Sequence, residues 1–216
     1  MSAALALSHL SVELGGRVVV DDVSLSFARG SVTAVVGRSG AGKSVLMKAA
    51  AGLLLRSGGD VVLSVPPLVF VHQDPALLDD LDVIHNVALP ARAKAQRNGT
   101  PAPDPRVWLA KLGVDDVADQ LPRHLSPSQA RRTALARALL LTPGVLIVDE
   151  PTTGLDPHAG DDVDDALCSV VDPQRALIVI THHPRTLARL LALENSSVVV
   201  VEAGRVSHRT LQEARP

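Results

Sequence analysis

Aromatic side chains are almost missing from this chain: Phe27, Phe70 and Trp108 are its aromatics, and it has no tyrosine. Any core must therefore be built from aliphatic residues, and any stacking role has three side chains to draw on. Cys168 is the only cysteine, which excludes an intrachain disulfide and suits a reducing cytoplasm. It lies in the apolar stretch Ala166-Leu167-Cys168-Ser169-Val170-Val171, so it reads as a small buried hydrophobe and not as a reactive thiol. No apolar run approaches the roughly 18 residues of a membrane helix, and the longest candidate, 138–148, is broken by Thr142-Pro143-Gly144. The start lacks the positive region of a signal peptide, so a cytoplasmic chain is expected. A surplus of basic charge is missing too. The formal net charge is −2, which offers a nucleic-acid backbone no field, and no nucleic-acid partner is expected.

What is present is a globular composition. With 46% hydrophobic and 20% charged residues over 216 positions, the chain can bury a sizeable core. Its most informative segment is Gly37-Arg38-Ser39-Gly40-Ala41-Gly42-Lys43-Ser44. This glycine-rich loop follows an apolar strand pattern, Val32-Thr33-Ala34-Val35-Val36, and precedes a helical pattern over 45–51. Strand, loop and helix in that order form a P-loop. Its glycines let successive amides converge on one concavity, and the helix dipole adds positive potential there. The pattern predicts binding of ATP or another nucleoside triphosphate. Lys43 is expected to reach the β- and γ-phosphates, and the Ser44 hydroxyl to ligate Mg2+.

Around that loop the chain alternates apolar strands with helices, as in a mostly parallel sheet covered on both faces. Gly15-Gly16, set before Val18-Val19-Val20, signals a hairpin and an N-terminal antiparallel β region. Strands are expected at 68–71, 145–148, 176–180 and 198–201, the last one ending at Ala203-Gly204. Helices are expected at 128–141, 158–171 and 184–192. The stretch 82–125 is polar and helical, with a proline-rich hinge at 101–105, and reads as an inserted subdomain. The expected fold is thus α/β, a P-loop NTPase of one domain over 1–216. Its core takes in 1–81 and 126–216, and its helical insertion 82–125.

The strand Val145-Leu146-Ile147-Val148 ends in Asp149-Glu150. A carboxylate at the carboxyl end of a core strand beside a P-loop suits Mg2+, the role given to Asp149. Glu150, next to it, can polarise a water for in-line attack on the γ-phosphate.

With those residues in view, the chain resembles the ATP-binding cassette (ABC) ATPases. Asp149-Glu150-Pro151-Thr152 and Gly154-Leu155-Asp156-Pro157 are similar to the family's Walker-B and D-loop segments. Gln73, within Phe70-Val71-His72-Gln73-Asp74-Pro75, resembles the Q-loop, and Thr181-His182 the switch histidine. Leu125-Ser126-Pro127-Ser128-Gln129 resembles the signature motif, and the resemblance runs from about Leu5 to Arg205. It implies that Gln73 touches Mg2+ or the attacking water and that His182 hydrogen-bonds the γ-phosphate. It also implies that Ser126, Gln129 and Asp156 face the nucleotide of a second cassette, ATP joining the two.

Two departures stand out. Pro127 and Ser128 replace both signature glycines, and proline has no N–H, which weakens the phosphate contact by about 1–3 kcal/mol. Leu14 falls where many members stack an aromatic on adenine, offering apolar contact without a π-face. The leading expectation is an ATP-hydrolysing subunit of a membrane ABC transporter. It would work with a second cassette (homodimer or heterodimer) and a separate permease at the inner face of the membrane. The alternatives are a regulatory ABC protein with little turnover, or the impaired half of a heterodimeric pair.

Overall fold

The structure, a computed structural model, describes residues 2–210. The chain forms two compact units. The first takes in residues up to Phe70, Gly144–Glu150 and residues from Val171 onward; the second takes in Val71–Pro143 and Pro151–Val170.

The first unit holds two sheets. β1 (Ala3–Leu14) and β2 (Arg17–Ala28) form the hairpin announced by Gly15-Gly16, both of which adopt positive φ. β4 (Gly58–Leu63) adds to the other side of β1, giving an antiparallel order β2-β1-β4. The second sheet has the order β5-β6-β7-β3-β8-β9, from β3 (Val32–Val36), β5 (Leu68–Val71), β6 (Val145–Asp149), β7 (Ala176–Ile180), β8 (Ser196–Glu202) and β9 (Arg205–Thr210). β6, β7, β3 and β8 run parallel. Every residue of β6 and β7 is buried, the mark of strands covered on both faces. α1 (Lys43–Ala50) buries Leu46, Met47, Ala49 and Ala50 in one core with Leu5, Leu10 and Phe27 of the hairpin and Ile147, Ile178 and Ile180 of the parallel sheet. This core is almost wholly aliphatic, Phe27 being its one fully buried aromatic. α6 (Pro184–Leu191) completes the unit.

One expectation needs correction. The strand at 198–201 is not the last: β9 follows it antiparallel, through Ala203 and Gly204 at φ 48° and 78°. Two positive-φ residues make a tight hairpin, so the break at Ala203-Gly204 is a turn and not an end. β9 lies at the sheet edge, where polar residues such as Arg205 and Ser207 are tolerated and no apolar run is needed.

The second unit is helical: α2 (Val83–Asn98), α3 (Arg106–Lys111), α4 (Pro127–Leu140) and α5 (Pro157–Ser169). The segment expected to be helical over 82–125 falls entirely within it. Asp82 caps α2 by accepting from the His85 N–H at 2.8 Å, and Gly99 ends it at φ 65°. α2 and α3 pack against α4, burying Val83, Val87 and Ala91 with Leu109, Leu135 and Leu139. Cys168 is half-buried on α5.

Candidate nucleotide-binding site

Register alone brings three motifs to one sheet edge. Val35 pairs with Ile180, and Ile180 with Asp149, so the segments leaving β3, β6 and β7 emerge side by side. Ligands of open parallel sheets bind at that carboxyl edge. Residues 37–44 follow β3, Glu150 follows β6 and Thr181-His182 follow β7.

The loop after β3 has little freedom to be anything else. Gly37 sits at φ 150°, and a Cβ there would collide with the Val201 carbonyl oxygen. Gly42, the N-cap of α1 at φ 100°, would bring a Cβ to 2.9 Å from the Val19 carbonyl oxygen. The Lys43 ammonium spans the loop, donating to the carbonyls of Gly37 at 2.9 Å and Arg38 at 3.0 Å. Arg38, Ser39 and Gly40 are exposed, and Ala41 is pinned by its N–H to the Arg38 carbonyl at 3.1 Å and by its own carbonyl to the Gly204 N–H at 3.1 Å. α1 has no side-chain cap and no acid in its first turn, so its leading amides keep their affinity for an anion.

Asp149 is buried, at 6% exposure. Burial holds its carboxyl above the ordinary carboxylate value; a hydrogen bond from Ser44 opposes this, and neighbouring Glu150 adds to it. A serine hydroxyl beside a desolvated carboxylate at the mouth of a phosphate loop is a pair of hard oxygen donors, which fits Mg2+. Among the described residues no group of three or more His, Cys, Asp or Glu could hold a metal alone.

Glu150 adopts φ 51°, a left-handed backbone held by its N–H to the Ile180 carbonyl at 2.9 Å. Its side-chain Oε1 lies 2.7 Å from His182 Nδ1, with Glu150 13% and His182 67% exposed. A carboxylate can only accept, so the hydrogen between them sits on Nδ1 and His182 donates. The histidine turn is fixed from below: the buried Thr181 donates its N–H to Val35 at 3.2 Å, and its hydroxyl accepts from the His183 N–H at 3.0 Å. Leu14, at the hairpin tip opposite Arg17, is 43% exposed.

The remaining sequence-selected residues belong to the second unit. Gln73 is exposed on the loop after β5. Ser126 is the N-cap of α4 and Gln129 its N3 residue, joined in a capping box: Ser126 Oγ accepts from the Gln129 N–H at 3.2 Å, and Gln129 Oε1 from the Ser126 N–H at 2.9 Å. Pro127 occupies N1, where a missing N–H costs the helix nothing. The Ser128 amide is then the first of the helix with no intrahelical acceptor, and the Ser126 hydroxyl keeps its own proton to donate. Asp156 caps α5, accepting from the His158 and Ala159 amides at 3.0 Å, and the Ala159 bond foremost holds its carboxyl below the ordinary value.

Sequence reasoning gave no role to three side chains that shape these loops. Asn86, 1% exposed, donates to the carbonyls of Leu78, Leu81 and Asp82 at 2.8–3.1 Å and accepts from the Leu78 N–H at 2.8 Å. Arg131 donates to the Thr153 carbonyl, and Arg137 to those of Pro75 and Ala76. The available signal was an amide or a cation inside an otherwise apolar helical stretch.

The chain is similar to several known proteins. The profile of the ABC transporter family matches residues 20–153. The molybdenum import ATP-binding protein ModC of Mycobacterium tuberculosis is 37% identical over 205 residues, covering 83% of this chain. This chain spans only 56% of that relative's length. The lipoprotein-releasing system ATP-binding protein LolD of Myxococcus xanthus is 34% identical, with 81% of this chain and 86% of LolD covered. The aliphatic sulfonates import ATP-binding protein SsuB 1 of Paracoccus denitrificans is also 34% identical, with 100% and 92% covered. In three dimensions, the dimeric post-hydrolysis structure of the ATP-binding cassette MJ0796 with ADP and Pi superposes at a TM-score of 0.81, with 22% identity over 96% of this chain and 98% of that one. CbiO1 of Clostridium perfringens, part of the ABC transporter complex cbiONQ, superposes at 0.74, with 25% identity over 96% and 88%. By family profile, by curated relatives and by fold, the chain belongs to the ABC transporter family.

Proposed function

We propose that the chain binds ATP with Mg2+, hydrolyses it, and serves as the nucleotide-binding subunit of a membrane transporter beside a separate permease. The observation that carries this reading is the pairing of Glu150 with His182 at 2.7 Å, beside the phosphate loop and the Ser44–Asp149 pair. Amides of the loop and of α1 hold the β- and γ-phosphates, and Lys43 turns from its own loop carbonyls to the phosphate oxygens. Ser44 and Asp149 would hold Mg2+, which would screen phosphate charge when bound. Glu150 accepts a hydrogen bond from the attacking water and takes its proton. The water oxygen bonds to the γ-phosphorus as the bond to the bridging oxygen breaks, leaving ADP and phosphate. His182, donating through Nδ1, keeps the carboxylate aimed. A second proton on Nε2, or release of Glu150, lets the same ring donate to the γ-phosphate. Gln73, Ser126, Gln129 and Asp156 take the roles that the family resemblance implies, the last three toward a second cassette. The site then lies at the cytoplasmic face of the membrane, held there by the permease.

A second reading rests on Pro127. With its amide missing, α4 has fewer donors for a partner's phosphate, which fits one half of an asymmetric pair. Steady-state hydrolysis by the wild type, with Lys43→Ala and Glu150→Gln as controls, tests the enzyme reading. Dimerisation of Glu150→Gln with ATP, followed by light scattering, tests the pairing. A Gln variant that binds ATP and dimerises favours a symmetric pair; one that binds ATP and stays monomeric favours a different partner cassette.

A further inference from the structure

Three arginines leave α4 in three directions. At about 100° per residue, Arg131, Arg132 and Arg137 divide the helix circumference instead of sharing a face. Each ends on backbone carbonyls of a different segment. Arg131 reaches Thr153, just before Gly154-Leu155-Asp156. Arg132 reaches Leu112 and Gly113 at 2.8 and 2.9 Å, after α3. Arg137 spreads its fork over two successive carbonyls, Ala76 from Nη1 at 3.1 Å and Pro75 from Nη2 at 3.0 Å.

The third contact is the unusual one. Burial lowers the Arg137 guanidinium from its ordinary value, and no carboxylate among the described residues pairs with it. A cation that loses part of its water normally finds an acid, because desolvation is otherwise uncompensated. Here the two carbonyl dipoles are its partners. Ala76 also sits at φ 44°, a conformation costly for a residue with a Cβ and one that turns its carbonyl toward the fork. The next residues are fastened separately by Asn86, at Leu78, Leu81 and Asp82. The loop that begins at Gln73 is therefore tied at Pro75 and Ala76 to the body of α4, whose N-terminus is Ser126.

We propose that Arg137 is a positioning residue that makes the Gln73 loop and the signature helix one mechanical piece, so that a displacement of Gln73 is delivered to Ser126. Lysine is a poor replacement: its single ammonium, on a flexible stem, lacks the fixed planar fork that aims Nη1 and Nη2 at separate carbonyls. This inference rests on the nucleotide reading above, but the tether itself exists without nucleotide.

The test is Arg137→Lys in the full chain, read by amide hydrogen exchange, ATP affinity and steady-state turnover. Exchange at residues 76–82 should quicken at least tenfold, with the interior of α2 at 87–95 unchanged. The Kd for ATP should stay within twofold while kcat falls at least tenfold. Unchanged kcat, or exchange quickened evenly through α2 and α4, overturns the proposal, because the second pattern is plain destabilisation. Should Arg137→Lys not fold, the wild type decides: ATP must slow exchange in 76–82 and in the first turns of α4 together. Slowing of either alone overturns it. A wild type that neither binds nor hydrolyses ATP refutes the nucleotide reading instead, and nucleotide-free exchange in the variant still judges the tether.

Discussion

The two units hold their motifs by different means. In the first, phosphate loop, acids and histidine are positioned by the backbone: strands in register deliver 37–44, Asp149, Glu150 and His182 to one edge. In the second, side chains do the fastening, with Arg131, Arg137 and Asn86 each reaching across to loop carbonyls. Backbone registry is rigid and tolerant of side-chain change. A side-chain tether can be lost through one substitution, and it can also shift as a unit.

Gly37→Ala should break this contrast most severely. The new Cβ meets the Val201 carbonyl, so the loop or β8 must shift. Expected are loss of ATP binding by at least a hundredfold and a lower melting temperature, with amide exchange in α2 and α4 unaffected. Disturbance of both units alike would refute separate anchoring. Glu150→Gln should keep ATP binding and lower kcat by about 10²-fold or more, the scale of losing a general base. Residual turnover above a tenth of wild type would remove Glu150 from the chemistry.

Pro127→Gly should return an amide to the start of α4. One hydrogen bond to a charged acceptor, about 1–3 kcal/mol, corresponds to about 5- to 150-fold tighter ATP-dependent pairing of the Glu150→Gln protein. No gain would mean that the Ser126 hydroxyl and Ser128 amide already suffice. Asp82→Ala should cost about 1 kcal/mol through loss of the α2 cap, seen in denaturant unfolding, with ATP affinity untouched. The smallest effect is expected from Asp149→Asn without nucleotide. A carboxyl raised by burial is penalised in its ionised form; the penalty is full above the folded-state value and vanishes below the ordinary carboxylate range. The Asn variant should therefore gain melting temperature over wild type near pH 8, with the gain shrinking as the pH falls toward 4. A constant difference across that range would assign the effect to packing.

The same contrast explains what could be read from the residues alone. The P-loop and Asp149-Glu150 stood out because apolar strand patterns flank them and because glycine spacing is a property of the sequence itself, whereas Thr181-His182 stood out through the family resemblance. α4, expected from residue 128, begins one residue earlier at Pro127, capped by Ser126. β9 escaped because an edge strand such as Arg205–Thr210 needs no apolar run. Arg131, Arg137 and Asn86 escaped because their partners are carbonyls, which every residue supplies, so nothing at Pro75, Ala76 or Thr153 marks the other end of the bond. The turn at Glu150 was equally silent, since its φ of 51° follows from the path between strands.

That turn carries a historical implication. A left-handed backbone prefers glycine or asparagine, and glutamate there is strained by about 1–3 kcal/mol. Random substitution at this codon would tend to relax the fold, and a gene copy freed from the need for turnover would gain thermal robustness by discarding the acid. Should Glu150 act as the proposed base, the strained turn is a cost that the fold carries for hydrolysis, and replacement of the acid is expected in a copy without turnover.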